Sequence, residues 1–273
     1  MNWKAHLPAE LQPFLDRISA TVKPCVKLSI QDTPPSEIWS STFGCVRFWP
    51  QGQDWPTDEN GRPLFGLLQL NLAELPALAN WPKHGILQFF LSDDAFWGAN
   101  PLNPLQQRNC RVVFHDVSTP ATTALINDFS FLPTFEDLPL QRNLCLAVTG
   151  EASEMPMPPQ DFRFETMLQD IFDEFGNDQW RLLGAYKKAI GTVGHRLGGY
   201  ASFIQDDPRS AADDKQTSWE LLLQLDTDPN VGLMWGDYGV AHWFYGQDTS
   251  SRSLDTPGEK KLFERIWYGW ESS

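Results

Sequence analysis

Leu67-Leu68-Gln69-Leu70-Asn71 and Leu222-Leu223-Gln224-Leu225-Asp226 are one short string written twice, and that doubling decides how the rest of the chain reads. The flanks repeat as well. Phe43-Gly44, Trp49 and Gln51 are answered by Leu197-Gly198, Phe203 and Gln205. Trp81, Gly85 and Ile86-Leu87-Gln88-Phe89-Phe90 are answered by Trp235, Gly239 and Val240-Ala241-His242-Trp243-Phe244. The offset is 154 at Gly44/Gly198, Gln51/Gln205 and Trp81/Trp235, and 155 at Gln69/Gln224, so two compensating one-residue shifts separate the two runs. Self-similarity that holds register through glycines, aromatics and glutamines together marks two diverged copies of one unit.

Outward from the doubled string, apolar runs of strand length stand at 64–70, 86–91, 111–115 and 143–149, with a short helix expected near 72–78. By simple alternation Trp219, Leu221, Leu223 and Leu225 share one wholly apolar face, as do Leu64, Gly66, Leu68 and Leu70. The opposite face turns polar at the glutamine in both copies. Helical spacing predicts an amphipathic helix over 8–22, two more within an insert over about 160–191, and a last one near 258–267. Asp161 stands where an N-cap would open the first inserted helix. The expected architecture is therefore α+β and β-dominated. Internally duplicated, β-roll-like units over about 40–95 and 194–248 are related by a pseudo-twofold, with flanking and intervening helices, in one compact domain over 1–273.

Composition narrows the function. Net charge is −14 across 273 residues, and a field of that sign repels phosphates, which argues against nucleic acid. The longest apolar run falls short of a membrane span, and the N-terminal stretch is amphipathic and unlike a secretion signal, so a cytoplasmic location is expected. Cys25, Cys45, Cys110 and Cys145 lie too far apart for a metal knuckle and read as buried free thiols. No metal or cofactor is expected. His195-Arg196-Leu197-Gly198-Gly199-Tyr200 lacks the Lys-Ser/Thr ending of a phosphate loop, and its helix precedes the glycines instead of following them. His115 and His242 lack a nucleophile motif and read as hydrogen-bonded strand residues.

The candidate binding residues are Gln69, Asn71, Gln224, Asp226, Trp235 and Asp237. Each glutamine either satisfies backbone groups where a loop meets the sheet or lines a shared groove. Trp235-Gly236-Asp237-Tyr238-Gly239 is either a tight turn entering a strand or a site resting on Asp237, since the matching Trp81-Pro82-Lys83-His84-Gly85 keeps the Trp and Gly but not the Asp. Twelve tryptophans suit both loop packing and interface hot spots.

Read together, Phe43-Gly44, Trp55-Pro56, Pro63-Leu64-Phe65-Gly66-Leu67-Leu68-Gln69-Leu70-Asn71, Leu197-Gly198-Gly199-Tyr200, Leu223-Gln224-Leu225-Asp226 and Met234-Trp235-Gly236-Asp237-Tyr238-Gly239 resemble the bacterial YwqG-like family, DUF1963, over nearly the whole chain. Cys45 departs from it, standing where the family usually has the second glycine of Leu-Gly-Gly. The resemblance implies a duplicated β-roll-like fold with no established catalytic activity. It also implies a distant similarity to eukaryotic proteins that chaperone a ribosomal protein, and an association of some relatives with toxin–immunity systems. The expected function is a non-enzymatic protein-binding module, chaperone-like or immunity-like, for a basic or partly unfolded polypeptide. The alternative is a small-ligand sensor or enzyme using a groove between the repeats.

Overall fold

A computed structural model describes residues 3–140, 144–211, 217–248 and 263–273. Ten strands form one antiparallel sheet in the order β10-β9-β8-β7-β1-β6-β2-β3-β4-β5. The centre is β1 (Lys23–Ile30) beside the long β6 (Leu146–Met155). One wing runs through β2 (Thr42–Phe43), β3 (Phe65–Asn71), β4 (Ile86–Leu91) and β5 (Cys110–His115). The other runs through β7 (Arg196–Gly198), β8 (Thr217–Asp226), β9 (Val240–Asp248) and β10 (Ile266–Glu271). The sheet rolls until its wings face each other. Phe89 meets Trp243 at 5.5 Å between ring centroids, Trp97 meets Trp235 at 5.5 Å, and the Tyr268 hydroxyl donates to the Trp97 carbonyl at 3.0 Å. The main core lies inside this roll, with Leu68, Leu70 and Leu87 from one wing and Leu223, Leu225 and Ala241 from the other.

The expected wholly apolar strand face is corrected by a bulge. Register slips between Gly66 and Leu68 against β4, and between Leu221 and Leu223 against β9. An extra residue in a strand moves everything before it to the opposite face. Leu67 and Leu68 therefore both enter the core, as do Leu222 and Leu223. Leu64, Trp219 and Leu221 turn outward into separate small apolar clusters under the loops. Each wing thus has three layers: inner core, strand, and a loop folded over the outside.

Buried amides pin those loops down. Gln69 is fully buried; its Oε1 accepts from the Arg47 and Phe48 backbone N–H groups, and its Nε2 donates to the Ile38 and Ser40 carbonyls. Gln224 does the same on the other wing, accepting from Ser202 N–H and donating to the Thr192 and Gly194 carbonyls. One strand further out, Gln88 donates to the Phe48 carbonyl, and His242 Nε2 lies 3.0 Å from the Ser202 carbonyl. A buried amide that meets four backbone groups replaces the ladder hydrogen bonds an irregular loop forgoes.

The helices form a second body against β1 and β7. Helix α1 (Trp3–His6) precedes a 3-10 turn (Ala9–Phe14) and α2 (Leu15–Ser19), in place of one continuous helix; Pro13 falls inside that turn. A proline interrupts the backbone bonding that a longer helix needs. The insert supplies α3 (Phe164–Met167), α4 (Gln169–Asp173) and α5 (Gln179–Ile190), closed by Gly191 at φ +65°. Leu11, Ile18, Ile171, Phe172, Leu182 and Tyr186 make their shared core. The last expected helix is corrected as well: 258–262 lies outside the described residues, and Ile266–Glu271 is strand, hydrogen-bonded along β9. Its Trp-Tyr-x-Trp content favours a pleated surface over a helix.

Asp161 is not a helix cap. Its buried carboxylate takes Arg163 through Nε and Nη2 at 2.7 Å each and Arg209 Nη2 at 3.0 Å. Arg209 also grips Asp207, and Arg163 and Lys23 both reach Glu220. Three carboxylates and three cations neutralise one another there, tying the insert to β1 and β8.

The cysteine expectation holds for Cys25 and Cys110 and fails for the other two. Cys45 and Cys145 form a disulfide with Cα atoms 5.1 Å apart. The pairing of Phe43 with Leu146 brings these cysteines, 100 positions apart in sequence, to one corner of the sheet.

Two outcomes are expected in urea unfolding. Gln69→Leu or Gln224→Leu strands several buried backbone groups, each worth about 1–3 kcal/mol, so each variant should lose on the order of 3 kcal/mol; unchanged midpoints would remove the pinning role. Reducing the disulfide, or replacing both its cysteines by serine, should cost about 2–4 kcal/mol through the long loop it closes. Identical midpoints with and without reductant would contradict this.

Candidate functional site

The structure divides the sequence-predicted residues between two loop junctions and a turn. Gln69 and Asn71 lie on β3, where Asn71 Oδ1 accepts from the Ala73 N–H to start a short 3-10 turn. Gln224 and Asp226 lie on β8 and meet at Gly194, whose carbonyl takes the Gln224 amide and whose N–H donates to Asp226 Oδ2 at 2.8 Å. The two glutamines serve different loops and do not face one groove. Trp235 is fully buried against Trp97 and Trp243. Gly239 closes the turn by donating to the Trp235 carbonyl at 2.7 Å, and a Cβ there would fall 2.0 Å from the Glu271 carbonyl oxygen. Asp237 is exposed, and its backbone carbonyl accepts from Ser273.

A cleft that the sequence reading did not reach lies beside this turn. It encloses about 260 Å³ on the outer face of β9 and β10, between the 99–104 and 203–208 loops. Alternation along β10 sends Ile266, Tyr268 and Trp270 toward the main core and Trp267, Gly269 and Glu271 outward. Phe203, His242 and Phe244 line the cleft from the loop and β9, with Phe203 and Phe244 stacked at 22°. Asp206 and Glu271 bring the negative charge.

The cleft opens over Gly269. In the other wing Val113 pairs with Gln88 on β4, and in this wing Gly269 pairs with His242 on β9. Around Val113, Trp49, Trp55, Phe90, Ile126 and Phe129 fill the outer layer, and the 124–126 segment is hydrogen-bonded to Trp49 and Gln51. A Cβ built on Gly269 meets nothing within 4 Å. His115 occupies the matching place to Glu271, since Ile86 pairs with His115 and Val240 with Glu271. His115 is sealed beneath Trp49 at 5.1 Å and bonded to Gln88, whereas Glu271 stays half-buried at the cleft wall.

Glu271 is held in orientation. Oε1 accepts from the Ile204 N–H at 2.6 Å and Oε2 from the Gln205 N–H at 3.3 Å. Burial pushes its carboxyl above the ordinary 4.5, with Asp207 and Asp206 adding in the same direction and the two N–H groups opposing. Burial drives His242 down to about 3, so it stays neutral and cannot act as a cation or as a proton carrier near neutrality. Arg209 stands behind the aromatic layer, 4.7 Å from the Phe244 ring, with its charge met by Asp207 and Asp161.

A second cleft of about 290 Å³ lies between Leu78–Trp81 and Gly198–Gly199, with Lys23, Glu220 and Tyr245 in its wall. Among the described residues no group of three or more His, Cys, Asp and Glu could hold a metal ion, and no helix is long and apolar enough to cross a membrane. The sequence signal for the first cleft was the period-2 alternation in Trp267-Tyr268-Gly269-Trp270-Glu271, which an expected helix obscured.

The arrangement offers aromatic walls and an oriented carboxylate, groups that can together receive a cation. No curated protein matches the chain at a significant level. Over residues 41–271 the sequence matches the family described as "Domain of unknown function (DUF1963)". That span takes in both wings, both pinned loops and the cleft, and the chain belongs to the DUF1963 family.

Proposed function

We propose that this protein is a non-enzymatic protein-binding module, chaperone-like or immunity-like, whose β9–β10 cleft takes a cationic side chain of a basic or partly unfolded polypeptide. The observation that carries the reading is the opening over Gly269, walled by Phe203, Phe244 and Trp267 and closed at one end by Glu271. Exposed apolar residues neighbour its lining in sequence: Leu102 follows Pro101 and is almost fully exposed, and exposed Ile204 follows Phe203. An apolar rim around a desolvated aromatic pocket is how protein interfaces concentrate affinity. The net charge of −14 favours basic partners and speeds their approach.

Under the same reading the wings are diverged copies related by a pseudo-twofold. The support is that Gln69 and Gln224, Gln88 and His242, and the bulges at Leu67 and Leu222 do equivalent work. One copy has filled its outer layer and the other has left it open. The alternative, a small-ligand site between the copies, draws on the cleft at Lys23, Trp81 and Glu220. There the Lys23–Glu220 ion pair, at 2.5 Å, already occupies the charged groups.

The test is a fluorescence anisotropy titration with a labelled, unstructured peptide of mixed Arg, Lys and Leu. Gly269→Val puts a strand-favouring side chain into open space and should weaken binding at least about tenfold while leaving thermal unfolding unchanged. Wild-type protein that ignores the peptide, or a variant that binds it equally well, would end this reading. Affinity should also fall on acidification. Glu271 must be ionised to attract a cation, and its raised pKa places the loss above 4.5, a range in which His242, near 3, does not titrate. A flat profile as the pH is lowered from neutrality through the ordinary carboxylate range would remove Glu271 from the contact.

A further inference from the structure

We propose that the β9–β10 cleft is selective for arginine, taking a guanidinium whose forked N–H groups meet Glu271 while its plane lies along the Trp267 ring. This rests on the reading of the cleft as a polypeptide-binding site and adds the identity of the side chain it takes. The Glu271 carboxylate is the fixed point of the cleft. Its two oxygens are each anchored by one of two consecutive backbone N–H groups, Ile204 and Gln205, so the carboxylate plane cannot swing. An ionised carboxylate has about four acceptor positions. Two are used, and one on each oxygen is left for a guest.

Two fixed acceptors side by side match the planar fork of a guanidinium and not the single point charge of an ammonium. The walls add to the preference. Trp267 is half-buried and lines the cleft on the same strand face as Glu271, and flat, weakly hydrated guanidinium groups pack on such a surface with less desolvation than ammonium. The glycine at 269 supplies the width, since no side chain rises from the strand between Trp267 and Glu271.

The protein already builds this arrangement once. Buried Arg209 grips Asp207 through Nε at 2.9 Å and Nη2 at 2.7 Å while lying 4.7 Å from the Phe244 ring and 5.8 Å from Phe203. Asp207 is the residue after cleft-lining Asp206, and both rings also line the cleft. One layer of aromatic rings therefore serves a guanidinium held within the chain and offers a place for one from outside. Arg209 does not repel the guest by its charge, because Asp207 and Asp161 neutralise it at 2.7 and 3.0 Å.

The experiment compares three labelled peptides of one sequence, with a central Arg, Lys or symmetrically dimethylated Arg, against the wild-type chain. Symmetric dimethylation keeps the charge, takes one N–H from each terminal nitrogen and crowds the fork with methyl groups. The Arg peptide should bind at least about tenfold more tightly than the Lys peptide, with dimethylated Arg falling toward Lys. Glu271→Gln should erase the ratio, and Trp267→Leu should lower Arg binding more than Lys binding. Equal affinities for Arg and Lys, both abolished by Gly269→Val, would overturn arginine selectivity while leaving the polypeptide cleft standing. Dimethylated Arg binding as well as Arg would overturn the fork. Failure of every peptide to bind would overturn the cleft itself.

Discussion

Everything in this fold hangs on the need to satisfy buried backbone where irregular loops cross a sheet. The loops at 38–48 and 192–202 run under cover, and unpaired peptide groups there cost more than most packing contacts contribute. A glutamine is long enough to rise from a strand and bond donors and acceptors on both sides of such a loop. Gln69 and Gln224 do this, with Gln88 and His242 one strand further out. Once the loops are fixed, the outer layer of each wing is fixed too. What varies is only which side chains fill the space beneath.

That remaining freedom is where the wings part company. Val113 and His115 on β5 lie under Trp49, Trp55 and Phe129, which pack the layer. Gly269 and Glu271 on β10 hold the matching places and leave a hollow with a fixed carboxylate at its edge. Two residues on one edge strand convert a packing layer into a recess. The scaffold needs no rearrangement for this, because the amide pins lie deeper than the change.

Much of the fold was legible in the sequence, for particular reasons. The doubled Leu-Leu-Gln-Leu string, the Trp-x-x-x-Gly turns and the 86–91 run pointed to strands that exist as read. The bulge was not legible, because Leu67 and Leu222 are apolar like their neighbours, and only the slipped register reveals that two successive leucines face inward. The ionic cluster of Asp161, Arg163, Asp207, Arg209, Glu220 and Lys23 was hidden because its members come from four distant segments. The disulfide was hidden for the same reason. Sequence marked Gln69, Asn71, Gln224, Asp226, Trp235 and Asp237, which lie in the doubled strings or in the Trp-Gly-Asp turn. It passed over Gly269 and Glu271, whose meaning comes from what stands across from them on β9.

The Cys45–Cys145 bond has a mechanical side. It bounds the whole of β3, β4 and β5 within one covalent ring, with a sequence separation of 100 between its cysteines. Tension applied at the two chain ends travels from 45 directly to 145 and never enters that ring. At about 3.5 Å per residue, roughly 350 Å of chain is withheld from extension. Strands β3, β4 and β5 are thus shielded from tension along the chain, which falls on β1, β2, β6, the helices and the strands of the other wing.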